Sequence, residues 1–197
     1  MEHKFLNRTK KLSLSQVDFK EYFEFYRDFI CPYLYKYTLE DNSEIEIRFH
    51  EEHFPHLLGL HKLKTFKKIK KSSEIIKEIM DNNINIRDIE TAERTTFDNK
   101  ELKDRLTYFP TLKTLLENVD TALKYDINII WNSKIEFSFL LKTNKISILV
   151  YLAVKEIKNN KKICVPVSLL VDRNDRFTKL NLKKLNITQR TIEPRNQ

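Results

Sequence analysis

The sequence is short of the residues on which many enzyme motifs depend. One glycine, Gly59, stands in 197 residues, beside five prolines, two cysteines and a single tryptophan. A phosphate-binding P-loop and a dinucleotide fingerprint each need several glycines at fixed spacing, and no nucleophile elbow is present, so nucleotide-hydrolysing and Rossmann-type enzymes are excluded. Cys31 and Cys164 follow no spacing motif and read as reduced, partly buried thiols of a cytoplasmic protein. Apolar runs stay below the roughly 20 residues that a spanning helix needs, and the N-terminal segment carries no secretory core. Neither a membrane partner nor export is expected.

What is present describes a soluble globular chain, 41% hydrophobic and 32% charged, long enough to bury one core with room for an N-terminal appendage. The net charge of +8 favours polyanionic partners, with RNA and DNA first.

The most concentrated stretch is His50 to Lys71. It holds four of the five histidines, the lone glycine, and six lysines in the ten residues from Lys62. Pro55 suits the first turn of a helix continuing through Leu57, Leu58, Leu60 and Leu63. A glycine inside that pattern costs about 1 kcal/mol and marks a close approach of the backbone to another element or to a ligand. Imidazole exchanges a proton near neutral pH, so His53, His56 and His61 are candidate acid and base groups. His61 falls in the apolar sector and also reads as a packed histidine. His53 and His56 are three apart, as two metal ligands would be, but the HExxH pattern and a cysteine pair are missing, and no metal or other cofactor is expected. Behind them Lys64, Lys67, Lys68 and Lys71 share one helical face, with Lys62 at its start. Such a face holds phosphates as point charges, or is simply solvated.

Around this stretch the periodicity predicts an aromatic helix over residues 13 to 31, stopped by Pro32, and a hairpin of Tyr33–Leu39 and Glu44–Phe49. A helix follows from Ser72 to Met80, then an apolar alternation Ile84, Ile86, Ile89. A further helix from Asp98 to Phe109 carries Arg105, is broken by Pro110 and resumes through Leu112. Arg105, set among Leu102, Leu106 and Phe109, reads as an ion-pair anchor or a phosphate clamp. After Asp120 the chain turns to strand-like runs near 126–131, 134–142, 145–157, 162–170 and 184–192. Helices first and strands second indicate an α+β fold, with N-terminal helices and a β-hairpin packed on a C-terminal antiparallel sheet. Residues 1–32 are expected as a helical appendage to a domain over 33–197.

The order of three motifs resembles one family. Phe54-x-His56-Leu57-x-Gly59-Leu60-His61-Lys62-Leu63 follows a hairpin; Arg105 precedes Phe109-x-x-Leu112-x-x-Leu115-Leu116; a strand closes on Val165-Pro166-Val167-Ser168. Over about residues 35 to 190 this resembles the PBECR group, phage and mobile-element domains placed with barnase, EndoU, colicin E5/D and RelE type nucleases, and most of all its fourth subgroup. Leu169 and Leu170 stand where that pattern has aromatics. The resemblance implies a barnase- or RelE-like fold and a metal-independent endoribonuclease, with His56, Arg105 and Ser168 at the site and a 2′,3′-cyclic phosphate product. It also implies RNA as partner and, for a toxin, a cognate antitoxin. Two other classes fit the same residues: a non-catalytic nucleic-acid-binding protein, and a protein-interaction module of phage defence.

Overall fold

A computed structural model describes residues 3–66, 69, 71–92, 100–126, 136–157 and 160–195. The first helical stretch divides in two. Ser13 and Gln16 close a capping box around a 3-10 turn at Leu14–Gln16, and Asp18 then caps α1 (Phe19–Phe29) by accepting a hydrogen bond from the Glu21 N–H. The aromatic face of α1 is core. Tyr22, Phe23, Phe25 and Tyr26 are buried, Tyr22 donates to the Leu106 carbonyl, and Tyr26 donates to that of His50. Phe5, Leu12, Val17 and the aromatic face of α1, all within the stretch read from sequence as an appendage, belong to one buried cluster with residues further along the chain.

The hairpin forms where expected, as β1 (Tyr33–Leu39) and β2 (Glu44–Arg48), with Leu34 opposite Arg48 and Thr38 opposite Glu44. Glu46 is 8% exposed and accepts from Arg48. A short helix α2 (Phe54–Leu58) follows, then α3 (Ser72–Met80). The alternation through Ile86 and Ile89 is a helix instead, α4 (Ile86–Ala92). Asn85 Oδ1 accepts from the N–H groups of Arg87 and Asp88, and Asp88 Oδ2 accepts from the Asn85 N–H, a reciprocal cap that the isoleucine spacing hides. Helix α5 (Lys100–Tyr108) carries Arg105, a 3-10 turn crosses Pro110, and α6 (Leu112–Glu117) resumes.

The second half is β3 (Thr121–Lys124), β4 (Phe139–Lys142), β5 (Leu149–Ile157), β6 (Asn160–Asp172) and β7 (Lys184–Pro194). β3 precedes the strand expected at 126–131, whose residues beyond Asp126 lie outside the described ones. β3 to β6 form the expected antiparallel meander, but the open sheet is corrected to a closed seven-stranded barrel in the order β1-β2-β6-β5-β4-β3-β7. Two pairings make the closure. β7 lies between β1 and β3, with Ile192 opposite Tyr35 and Asn186 opposite Thr121, and β2 runs parallel to β6, with Ile47 beside Cys164. Among the described strands, closure leaves none at a sheet edge.

The strands bury both faces. Val150, Leu152 and Val154 join the large core shared with the helices, while Tyr151 and Ala153 join a smaller cluster with Phe177 and Leu182, from the segment between β6 and β7. Helices α2 and α5 pack on β6 and on each other. Cys31 and Cys164 are free thiols that desolvation pushes up to about 12, which leaves them unreactive. Among the described residues no helix is long and apolar enough to cross a membrane.

Candidate active site

The site begins with a turn that the sequence reads as a continuous helix. Helix α2 stops after five residues because Gly59 takes φ +76°, a left-handed conformation that glycine adopts without a side-chain penalty, and its N–H donates back to the His56 carbonyl at 3.0 Å. A 3-10 turn, Leu60–Lys62, continues in a new direction. On one straight helix His56 and His61 would project about 140° apart at 100° per residue. Across the Gly59 turn their ring centroids lie 4.8 Å apart with planes at 46°.

Gly59 also makes the close approach expected of it. A Cβ there would sit 3.1 Å from Arg105 Nη1, 3.5 Å from Arg105 Cδ and 3.6 Å from Leu102 Cδ1. The bare backbone therefore lets α5 press its arginine against the histidine turn. Arg105 is 3% exposed, and among the described residues no carboxylate forms an ion pair with it. The adjacent carboxylate, Asp104, is held by Arg173 through two hydrogen bonds of 2.5 and 2.6 Å. Desolvation lowers the Arg105 pKa from its ordinary value, opposed by the charge of Glu101, yet a guanidinium remains protonated throughout the working range of a protein. Among the described residues the cation is thus buried without a paired anion.

The facing wall comes from β6. Ser168 pairs with Ala153 and Pro166 with Val154, so Val167 is an extra residue, a β-bulge that turns the strand locally. Val167 and Ser168 both reach the cleft. Ser168 is 2% exposed and its Oγ has no hydrogen-bond partner among the described residues. A buried hydroxyl left unsatisfied costs about 1–3 kcal/mol, a penalty that a ligand oxygen in the cleft would remove.

Between these walls lies a cleft of about 390 Å³, bounded by His56, His61, Arg105, Val167 and Ser168, with Lys62, Lys155 and Glu136 also on its wall. Lys155, on β5, forms an ion pair with Glu136. Much of His61 meets solvent, but its ring is partly desolvated and lies near His56, Lys62 and Arg105. Those effects push its pKa down to about 4, against a hydrogen bond to the Pro55 backbone that favours the charged form. The ring is neutral at pH 7.

Of the residues singled out from the sequence, His56, His61, Arg105, Ser168 and Lys62 line this one cleft. His53 does not. It accepts the His50 N–H on Nδ1 at 3.1 Å, closing the turn before α2, and its half-buried ring is pushed down to about 4, first by desolvation and then by the nearby His50. Lys64 and Lys71 are exposed but do not line the cleft, and Lys67 and Lys68 lie outside the described residues. The expected lysine helix is interrupted, since Lys64–Phe66 is a 3-10 turn that points Leu63 and Phe66 into the core. Lys155 and Glu136 carry no local signal in the sequence; the pairing of β5 with β6 sets Lys155 opposite Val165, and Lys155 shares the cleft wall with Val167. Among the described residues no three His, Cys, Asp or Glu side chains gather as metal ligands would.

The arrangement therefore offers two adjoining imidazoles, a buried guanidinium, lysine ammonium groups and an unpartnered hydroxyl, a set suited to holding an anion and moving protons beside it. No curated protein and no solved structure matches the chain. The family model described as phage-Barnase-EndoU-ColicinE5/D-RelE like nuclease 4, PBECR4, matches residues 18–194, nearly the whole length, and the chain belongs to that nuclease family.

Proposed function

We propose that the protein is a metal-independent endoribonuclease that cleaves RNA through a 2′,3′-cyclic phosphate. The observation that carries this reading is the His56–His61 pair, set in one cleft with a buried Arg105 and a Ser168 Oγ that have no ion-pair or hydrogen-bond partner among the described residues, in a chain of a nuclease family. Such cleavage needs a base for the 2′-hydroxyl proton, an acid for the leaving 5′-oxygen and cations for the charge on the pentacoordinate phosphorus.

His61, neutral at pH 7, takes the proton as the 2′-oxygen forms its bond to phosphorus. His56 gives a proton to the 5′-oxygen as the P–O5′ bond breaks. Arg105 clamps the non-bridging oxygens, Lys155 adds a second positive charge, and Ser168 Oγ donates to one of those oxygens. The phosphate in turn favours the imidazolium that forms on His61, because an anion nearby stabilises its charged form. Lys62, Lys64, Lys67, Lys68 and Lys71 draw in the backbone, each neutralised phosphate adding about 0.7 to the salt dependence on a single strand.

The test is incubation of the purified protein with total RNA and with tRNA, with and without EDTA, beside His56→Ala and Arg105→Ala. Cleavage that survives EDTA, is lost in both variants and leaves 2′,3′-cyclic phosphate ends supports the reading. Ends carrying a free 3′-hydroxyl overturn it. Salt-sensitive binding without cleavage, undiminished in His56→Ala, would instead make this a binding protein.

A further inference from the structure

A second cavity, of about 320 Å³, opens on the other side of Arg105. The two cavities share that guanidinium and follow one another along β6: Val167 and Ser168 line the first, Leu170 to Asp172 the second. Ser168 and Leu170 are two residues apart and so on the same side of the strand, separated by about 7 Å. That is a step on the scale of one nucleotide of extended RNA.

The second cavity is a built surface. Asp172 Oδ1 and Oδ2 accept the N–H groups of Asn174, Arg176 and Phe177 at 3.3, 2.8 and 2.8 Å, which fixes the turn after β6. Phe177 is held edge-on against Tyr151, with centroids 5.4 Å apart, and contributes with Leu170 and Val171 an apolar floor. The charged groups facing this floor are Lys100, Arg105, Arg173 and Arg176 against Glu101, Asp104 and Asp172. Asp104 is neutralised by Arg173 and the Asp172 oxygens are occupied by backbone N–H groups, while Lys100 is exposed at the rim and Arg176, also exposed, sets its guanidinium over the Phe177 ring, 5.4 Å from the centroid, so that floor and cation form one stacking surface. An apolar floor rimmed by cations, in a volume within the roughly 300–1,000 Å³ of small-ligand clefts, fits a nucleoside phosphate.

We infer that this cavity is a substrate subsite: it takes the nucleotide next to the scissile phosphate, its base on the floor of Leu170 and Phe177 and its phosphate toward Lys100 and Arg176, with Arg105 between the two sites. The inference rests on the nuclease reading for the identity of the strand, but its test does not depend on cleavage.

Fluorescence anisotropy with a 2′-O-methyl nucleoside 3′-phosphate and with the 2′-O-methyl dinucleotide that extends it by one residue bearing its own 3′-phosphate, neither of which has the 2′-hydroxyl proton that cleavage needs, measures the gain from the added nucleotide. The wild type is expected to bind the longer probe about ten-fold more tightly, the value of one stacked base. Lys100→Ala/Arg176→Ala is expected to cut that gain to about three-fold or less, and Arg176→Glu to abolish it. A wild type with no length gain, or variants that keep all of it, overturns the subsite. Cleavage of total RNA is scored separately. A protein with the length gain that cleaves nothing keeps the subsite and loses the nuclease reading, and one that cleaves without the gain does the reverse.

Discussion

Two histidine pairs lie in one short stretch and do different work. His50 and His53 are three residues apart, with centroids at 5.4 Å in an edge-on arrangement, and the contact between them is a local cap in which the ring of one accepts the backbone N–H of the other. His56 and His61 are five apart and meet only because Gly59 reverses the chain. The first pair is satisfied internally and stabilises a turn. The second is presented to a cleft, with a buried arginine behind it. Adjacency in sequence is therefore a poor guide to which imidazole faces the cleft; the backbone conformation at one residue decides it.

The comparison is broken most sharply by removing one ring at a time. His56→Ala or His61→Ala is expected to lower RNA cleavage about 10²–10⁴-fold, the usual contribution of a positioned acid or base, whereas His53→Ala stays within about ten-fold of wild type. Single-turnover rates on one defined RNA measure this, and equal losses at all three positions would erase the distinction.

Gly59→Ala attacks the turn itself. The φ of +76° costs an L-residue about 1–2 kcal/mol, and the new Cβ crowds Arg105 Nη1 at 3.1 Å. Denaturant unfolding should show a loss of that size, with cleavage falling further than stability does, because the histidine pair and the arginine are displaced together.

Ser168→Ala should separate stability from activity. Deleting an unpartnered buried hydroxyl leaves the melting temperature unchanged or raised, while loss of its hydrogen bond to the phosphate lowers cleavage about ten-fold. A clear drop in melting temperature would mean that the hydroxyl is bonded in the folded protein.

The smallest effect concerns acid. His53 and His61 ordinarily titrate near 6.5 and are pushed down to about 4 in the fold, so between those values the unfolded chain binds more protons than the native one. Stability is then full above about pH 6.5 and declines as the pH falls toward 4. Melting curves from pH 7 to 4 should show that decline, and His53→Gln should flatten it without removing the acid limb of kcat/KM that belongs to His61.

Much of this site was legible before the fold. The single glycine in a histidine-rich stretch marked a close approach of the backbone, and a lone arginine among Leu102, Leu106 and Phe109 marked a cation set in an apolar segment. The reason for the glycine was only half visible. A close approach was expected, but the left-handed cap was not, since Leu60 and Leu63 continue the spacing of a helix while the backbone does not. The hairpin was plain because its strands and turn are local. β3 was not, being four residues with no repeated alternation, and α4 was masked because Ile86 and Ile89 suit either period while the capping Asn85 and Asp88 lie outside the apolar pattern.

Local pattern, charge and residue chemistry set the elements of this protein and the kinds of side chain available for its chemistry, because periodicity and propensity act over a few residues. Which strands became neighbours, and so which side chains share a cleft, was decided by long-range pairing. The parallel contact of β2 with β6 and the β7 strand between β1 and β3 each join segments far apart in the chain. Nothing in one segment specifies its partner there; the burial of both strand faces and the closure of the last open edge do.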